Sequence, residues 1–578
     1  MLLSQTDYEE IFSQDHSIYE TWRLCNAGHP DLPAMEYFEN QYTFKQCDEL
    51  IDVYAKAFLE MLPDKNRSVT FCVPTLPSTI IAFYALNKIG VRANFVSHTV
   101  LPTNPKEYLE DTDTEILILF DGFFKAVASS IKKVKLKKVI IISLSDDVET
   151  IPDYVPDQLR KYLQMTGAAK KIKLALLSKK VLSLEKFVNI GKKSKKNVES
   201  VYNKGDTAVV LYTGGSTGIP KGVEKTNEEF TYMARIYAQM DNHDIRPGDR
   251  NLLLIPPNHP TNFVHGITIP WLFGPTQVLQ PIYNKDTFAN DLYISKAQNT
   301  LAAPSHYATL MNCKLPDGAL SNLKWAFCGG EAVSPELAVA TNKELKRLGV
   351  INPYLVIGYG MSEIGPMAIF EQNNPTLGHK VGKPIPEVIA RIVDDNGNIL
   401  GSNKRGNLEI KTPCNMKGYF KNPKLTKEFF TDDGYAITGD IAICDEDGFY
   451  DVLGRATDSI IIPDGMKIYL FDIERVVYKD PAVLECEVVA IEAESIKYPV
   501  VHIVLNPEYI GQDAQIIKRI HQLCKEHLKD FEMPRGYKIR DNFGTNPISQ
   551  KRDYQALLLE RDGYFAVDGD DLVEIDFK

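Results

Sequence analysis

The chain of 578 residues has nine cysteines, an odd number, and no two stand at C-x-x-C spacing. A disulfide framework is therefore not expected, and reduced thiols in a cytosolic, cytoplasmic setting are. No His/Cys spacing matches a zinc site. Basic residues are outnumbered, 65 Lys and Arg against 76 Asp and Glu, and the net charge of −11 argues against general nucleic-acid binding. The first ten residues carry no basic segment and too few apolar residues for a signal peptide. Long apolar runs are also missing. The two longest uncharged stretches, residues 68–87 and 251–284, are interrupted by Pro, Thr, Asn or Gly. They read as buried strands and turns rather than membrane spans.

What is present is a soluble-type composition, 44% hydrophobic and 24% charged, on a chain long enough for a sizeable core. Thr43-x-x-Gln46 forms a capping-box pattern ahead of Cys47, Leu50, Ile51, Tyr54 and Phe58, which recur at helical spacing. Short β-branched runs at 69–73, 93–96, 116–120 and 139–143 alternate with helical segments. This predicts βαβ units in an α/β fold with parallel-rich sheets. Residues 160–196 form a lysine-rich island, with Lys170, Lys171, Lys173, Lys179, Lys180, Lys192, Lys193, Lys195 and Lys196 beside apolar Ile172, Leu174, Leu176, Leu177, Val181 and Leu182. Such a segment is either a solvated surface helix or a weak peripheral membrane contact. The acidic tail, 567–578, is expected to be mobile.

The most informative stretch runs from Leu211 to Val223. An apolar strand ends in Thr213-Gly214-Gly215-Ser216-Thr217-Gly218, followed by Ile219, Pro220 and Lys221. Glycines let backbone N–H groups approach an anion, three hydroxyls add donors, and lysine adds a charge suited to phosphate. The P-loop order Gly-Lys-[Ser/Thr] is absent, because Lys221 precedes Gly222. Gly214-x-Ser216-x-Gly218 matches a hydrolase nucleophile elbow, but an elbow feeds straight into a helix and Pro220 interrupts. The run resembles the signature loop of the adenylate-forming superfamily, which includes acyl- and aryl-CoA synthetases, adenylation domains of peptide synthetases and firefly luciferase.

Further stretches match in the family's order. Gly329-Gly330-Glu331-Ala332 resembles the adenine-binding strand end. Tyr359-Gly360-Met361-Ser362-Glu363 resembles a motif in which Tyr lies near adenine, the hydroxyl near the α-phosphate and Glu on Mg²⁺. Thr438-Gly439-Asp440 and Arg455 resemble the ribose and phosphate contacts. His259 matches a loop leading to the acyl pocket, although Asn262 replaces a usual Gly. The lack of any Asp between Asp249 and Asp286 lowers the case for an α-amino acid substrate. Thr457 falls at the hinge position. Lys551 matches the lysine near the C-terminus, with Gln550 where Gly is usual.

The resemblance implies a large N-terminal domain, residues 1–456, and a small α+β lid, residues 457–578. It also implies an AMP-forming acid–CoA ligase, with ATP, Mg²⁺ and coenzyme A as cofactors. Lys551, Glu363 and Ser362 would be catalytic, with Glu363 on the metal. Residues 213–218, Lys221, Gly330, Glu331, Ala332, Tyr359, Gly360, Asp440 and Arg455 would hold nucleotide. The apolar central region points to a fatty acid. A carrier-protein thiol as acceptor and an inactive AMP-binding homologue are the alternatives.

Overall fold

In the computed structural model, the described residues are 3–62, 67–148, 151–153, 155, 160–161, 163, 180–213, 220–239, 245–281, 284–331, 333–370, 380–461, 467–493, 496–544 and 552–577. Among them, alternating apolar strands and amphipathic helices build two large sheets. One has eight strands, in the order Gly418–Tyr419, Lys221–Thr226, Thr207–Thr213, Ala93–Phe95, Ser68–Cys72, Thr114–Phe120, Lys138–Ile142 and Val181–Ser183. From Thr207–Thr213 to Val181–Ser183 every pairing is parallel. The other sheet has nine strands and is parallel from Leu355–Met361 through Trp325–Cys328, Asn299–Ala302, Arg250–Leu253 and Thr276–Leu279 to Pro33–Tyr37.

The expected capping box is present. Thr43 Oγ1 accepts from the Gln46 N–H at 3.2 Å, and the Gln46 side chain accepts from the Thr43 N–H at 2.8 Å. It opens the helix Phe44–Met61. The helix Pro77–Lys88 is buried along its whole length, which accounts for the uncharged run at 68–87. The run at 251–284 contains more helix than expected, since residues 260–272 are helical throughout, part of it π-helix. Phe83, Phe95, Phe230 and Phe263 pack there edge to face, a favoured aromatic geometry. No helix among the described residues is long and apolar enough to cross a membrane.

Two further sheets follow. Ile389–Val393, Arg405–Lys411, Ala436–Cys444 and Tyr450–Arg455 form an antiparallel sheet. The C-terminal part holds a five-stranded sheet, Val483–Ala493, Ile496–Leu505, Gly536–Arg540, Tyr564–Asp568 and Asp571–Ile575. The helices Leu470–Val477 and Asp513–His527 complete its own core with Ile473, Val477, Ile516 and Ile520.

Two sequence expectations are corrected. The tail is built into the small unit's sheet and core as far as residue 577. Asp571–Ile575 pairs with Tyr564–Asp568, and Phe577 is buried against Tyr564. Apolar residues among the acids supply that packing. Within the lysine-rich island, residues 164–179 lie outside the described residues. Beyond them, Val181 and Leu182 belong to an edge strand beside Val139 and Ile140 rather than to an amphipathic helix. The helix Leu184–Lys193 then places Lys192 and Lys193 in its last turn, where cations suit the helix dipole.

Candidate active site

The strand Thr207–Thr213 runs into an antiparallel partner, with Thr213 opposite Lys221. A strand, not a helix, therefore follows the glycine-rich run, and the nucleophile-elbow reading fails. Gly214, Gly215, Ser216, Thr217 and Gly218 lie outside the described residues, as do Ala332 and Lys551. At the loop's exit the Lys221 Nζ lies over the Tyr419 ring, 5.5 Å from its centre, a cation–π placement. The Tyr419 hydroxyl donates to Glu363 Oε1 at 2.9 Å. Burial, and then the Glu363 charge, push the Tyr419 pKa up, so the tyrosine stays a donor.

Glu363 sits in the turn between Leu355–Met361 and Gly365–Phe370, an antiparallel hairpin. It is buried, at 6% exposure. The hairpin is tight at Gly360, where a Cβ would come within 2.3 Å of the Pro366 carbonyl carbon. No side chain fits there. Ser362 occupies the same turn and is partly exposed.

On that hairpin Tyr359 donates its hydroxyl to Asp440 Oδ2 at 2.5 Å. Burial first, and the Asp440 charge second, keep the Tyr359 pKa well above its ordinary value. Asp440 is 5% exposed. Its Oδ1 meets Arg455 Nε at 3.2 Å, because the strands Ala436–Cys444 and Tyr450–Arg455 pair with Asp440 opposite Arg455. Arg455 Nη1 also donates to the Thr438 carbonyl at 2.9 Å. Burial alone would lower the Arg455 pKa, but Asp440, Tyr359, Glu363 and Asp458 outweigh it and the charge is held more firmly.

The strand Trp325–Cys328 ends beside the same region. Gly330 has φ +95°, a left-handed conformation that favours glycine. A Cβ there would stand 3.9 Å from His259 Cε1, so two residues 71 positions apart (330 − 259) are neighbours. His259 stands at the N-terminal boundary of the helical segment that begins at Pro260, its side chain making no capping bond. Glu331 Oε1 accepts the backbone N–H of Arg552 at 3.1 Å. Thr457 lies in a turn after Arg455, with Asp458 beside it.

Two features escaped the sequence reading. Lys225 and Glu229 form a buried ion pair at 2.6 Å, with side-chain exposures of 3% and 7%. The i,i+4 spacing was readable, but burial of that face was not. Arg552 is clamped by Glu485 and Glu487, which lie more than sixty residues away in sequence.

The arrangement offers one buried carboxylate with a tyrosine donor, a second buried carboxylate paired with arginine and tyrosine, and a lysine at the exit of a glycine-rich loop. Together these suit a polyphosphate and a ribose. Among the described residues no group of three or more His, Cys, Asp or Glu is placed to hold a metal ion.

A family model described as AMP-binding enzyme matches residues 22–420, and one described as AMP-binding enzyme C-terminal domain matches residues 472–546. The chain is 27% identical over 553 residues to a long-chain-fatty-acid–CoA ligase of Bacillus subtilis, covering 91% of each chain. It is 24% identical to a ligase of the same name from Haemophilus influenzae, covering 93% of this chain and 94% of that one. Among solved structures, the anthranilate CoA ligase AuaEII in complex with anthranoyl-AMP aligns with a TM-score of 0.76 at 20% identity, covering 94% of this chain and 96% of that one. ATP-bound MatB from Rhodopseudomonas palustris aligns with a TM-score of 0.76 at 18% identity, covering 93% and 98%.

Proposed function

The chain belongs to the AMP-binding enzymes, and from that premise we propose that it is an AMP-forming acid–CoA ligase acting on a fatty acid. The observation that carries the reading is the convergence of one hairpin, carrying Tyr359 and Glu363, with Asp440 and Arg455 on two paired strands. The fatty-acid part is supported by the names of the bacterial relatives.

In this proposal the acid's carboxylate attacks the α-phosphorus of ATP, pyrophosphate leaves, and the CoA thiol then displaces AMP from the acyl-adenylate. Asp440 accepts the ribose hydroxyls, with Arg455 and Tyr359 fixing its orientation. Residues 213–218 and Lys221 cradle phosphates, Ser362 reaches the α-phosphate, Gly330 and Ala332 leave room for adenine beside Tyr359, and Gly360 lets the hairpin that carries Tyr359 close tightly. Glu363 would hold Mg²⁺, a hard cation suited to a carboxylate oxygen. The ion would neutralise phosphate charge. His259 lines the acid pocket. Residues 457–578 act as a lid that turns about Thr457, so that two of its faces meet the site in succession.

The test is acid-dependent pyrophosphate release across acids from acetate to palmitate, plus aryl and bile acids, with CoA and carrier proteins compared as acceptors. Fatty acids are expected to give the highest rates, with CoA as acceptor. Transfer only to a carrier protein would move the reading to a loading ligase. No release with any acid would favour an inactive homologue. The lysines at 170–196 are proposed to add weak contact with anionic membranes, each contributing about 1 kcal/mol. Equal sedimentation with neutral and anionic vesicles at low salt would count against that contact.

A further inference from the structure

A buried ion pair lies beside the hairpin that carries Glu363. Lys225 Nζ meets Glu229 Oε2 at 2.6 Å, with both side chains out of solvent. Lys225 is near the end of the strand Lys221–Thr226, and Glu229 is in the first turn of the helix Asn227–Gln239. Against an apolar pair of similar volume, such a pair contributes little net stability. What it adds is a directed donor. Lys225 Nζ also donates to the Cys414 carbonyl at 3.4 Å, and Cys414 Sγ donates to the Glu229 carbonyl at 3.7 Å. The chain at Cys414 is thereby fastened from two directions.

From there it runs on to Glu363. The Met416 N–H donates to the Glu363 carbonyl at 2.7 Å. Gly418 and Tyr419 then pair with Glu224 and Val223, on the strand that carries Lys225. The Tyr419 hydroxyl donates to the Glu363 carboxylate at 2.9 Å. Residues 414–419 thus hold Glu363 both by its backbone and by its side chain. The fit is close on one side: a Cβ at Gly365 would stand 3.0 Å from both Cys414 Cβ and Met233 Cε. On the other side, Lys225, Glu229, Met233, Gly365 and Cys414 border one small cavity. The cavity leaves room for the segment to shift once its anchor is lost.

We propose that Lys225, Glu229 and Tyr419 are positioning residues for Glu363. The ion pair anchors residues 414–419, and that segment sets where the Glu363 carboxylate points. The proposal rests on the assignment of Glu363 to Mg²⁺ made above. Groups that orient a metal-binding carboxylate typically govern metal affinity or activity by about 10- to 100-fold.

The experiment uses full-length chains: parent, Tyr419→Phe, Lys225→Met/Glu229→Leu and Lys225→Met/Glu229→Gln, each also in a Glu363→Gln background. The second double variant keeps an acceptor for the Thr226 N–H, which Glu229 Oε1 accepts at 3.0 Å. It replaces the first if a melting curve shows that the first does not fold. One readout is acid-dependent exchange of pyrophosphate into ATP as a function of Mg²⁺. The other is calorimetric, the tightening of ATP binding when Mg²⁺ replaces EDTA, which needs no turnover. With Glu363 present, each variant is expected to lower kcat of the exchange and raise the half-saturating Mg²⁺ about 10- to 100-fold. ATP affinity in EDTA should be unchanged. In the Glu363→Gln background the same changes should have no further effect on either readout, because residues that act through one group are not additive. A folded variant with parental Mg²⁺ dependence, weaker ATP binding already in EDTA, or equal losses with and without the Glu363 carboxylate would overturn the proposal. A Glu363→Gln chain that matches the parent would overturn the metal assignment, and this proposal with it. A parent with no exchange on any acid would instead overturn the functional reading on which both rest.

Discussion

Replacing Lys551 with alanine is expected to slow acyl-adenylate formation by about 10²–10³-fold, the usual worth of a preorganised charge in a water-excluded site. Thioester formation from supplied acyl-adenylate should proceed at the parent rate. The reason is the charge of the reactants. The first step brings a carboxylate against a triphosphate, so a cation between them lowers the barrier most while both are anionic. In the second step the adenylate already exists and a neutral acyl carbon is attacked. Lys551 lies outside the described residues, but its chain neighbour Arg552 is hydrogen-bonded to the large unit through Glu331. The two half-reactions are assayed separately on the purified variant. Equal losses in both, or none in the first, would show that Lys551 lacks this role, and Gln550 at the preceding position would be the first feature to examine.

How much of this was legible before the structure depended on how local the signal was. The strand at 207–213 was readable because its β-branched run is continuous and buried. The helix at 44–61 was readable because its cap and its apolar spacing agree. Asp440 and Arg455 were each picked out as single residues, but not as partners. Their pairing depends on the register of a hairpin, set by the turn in which Asp445 Oδ1 accepts from the Asp447 and Phe449 N–H groups. The clamp on Arg552 was invisible for a similar reason: nothing near it in sequence announces Glu485 or Glu487. The tail was misread because its acids dominated the composition. Phe577 only acquires meaning once Tyr564 is beside it, and Leu572 once the core of the small unit lies under it. Glu331 was assigned by motif to nucleotide, and its bond to the Arg552 N–H, 221 residues away, had no signal in the sequence.

Substituting Asp440 should weaken ATP binding more than any other change to the ribose contacts, and the choice of substitution decides what is learned. Asp440 is buried and already accepts from Tyr359 and Arg455. A carboxylate offers several acceptor directions, which ribose hydroxyls would share with these partners. Alanine would remove the acceptors but also leave the buried Tyr359 hydroxyl without Asp440, costing about 1–3 kcal/mol of stability. Arg455 is half exposed, at 49%, and can turn to water. Loss of affinity in Asp440→Ala would therefore mix a lost contact with a loosened hairpin. Asp440→Asn keeps the shape and one oxygen for Tyr359 while removing the charge. Hydrogen bonds to charged groups contribute about 1.5–3 kcal/mol against 0.5–1.5 for neutral ones. Two ribose bonds then weaken by roughly 2 kcal/mol in all, and the ATP dissociation constant should rise about 30-fold. Titration calorimetry with ATP and a thermal melt of the same variant separate the two effects. A raised dissociation constant at a nearly parental melting temperature supports the ribose assignment. An unchanged constant would leave Asp440 as a structural partner of Tyr359 and Arg455, and the nucleotide would have to be placed elsewhere.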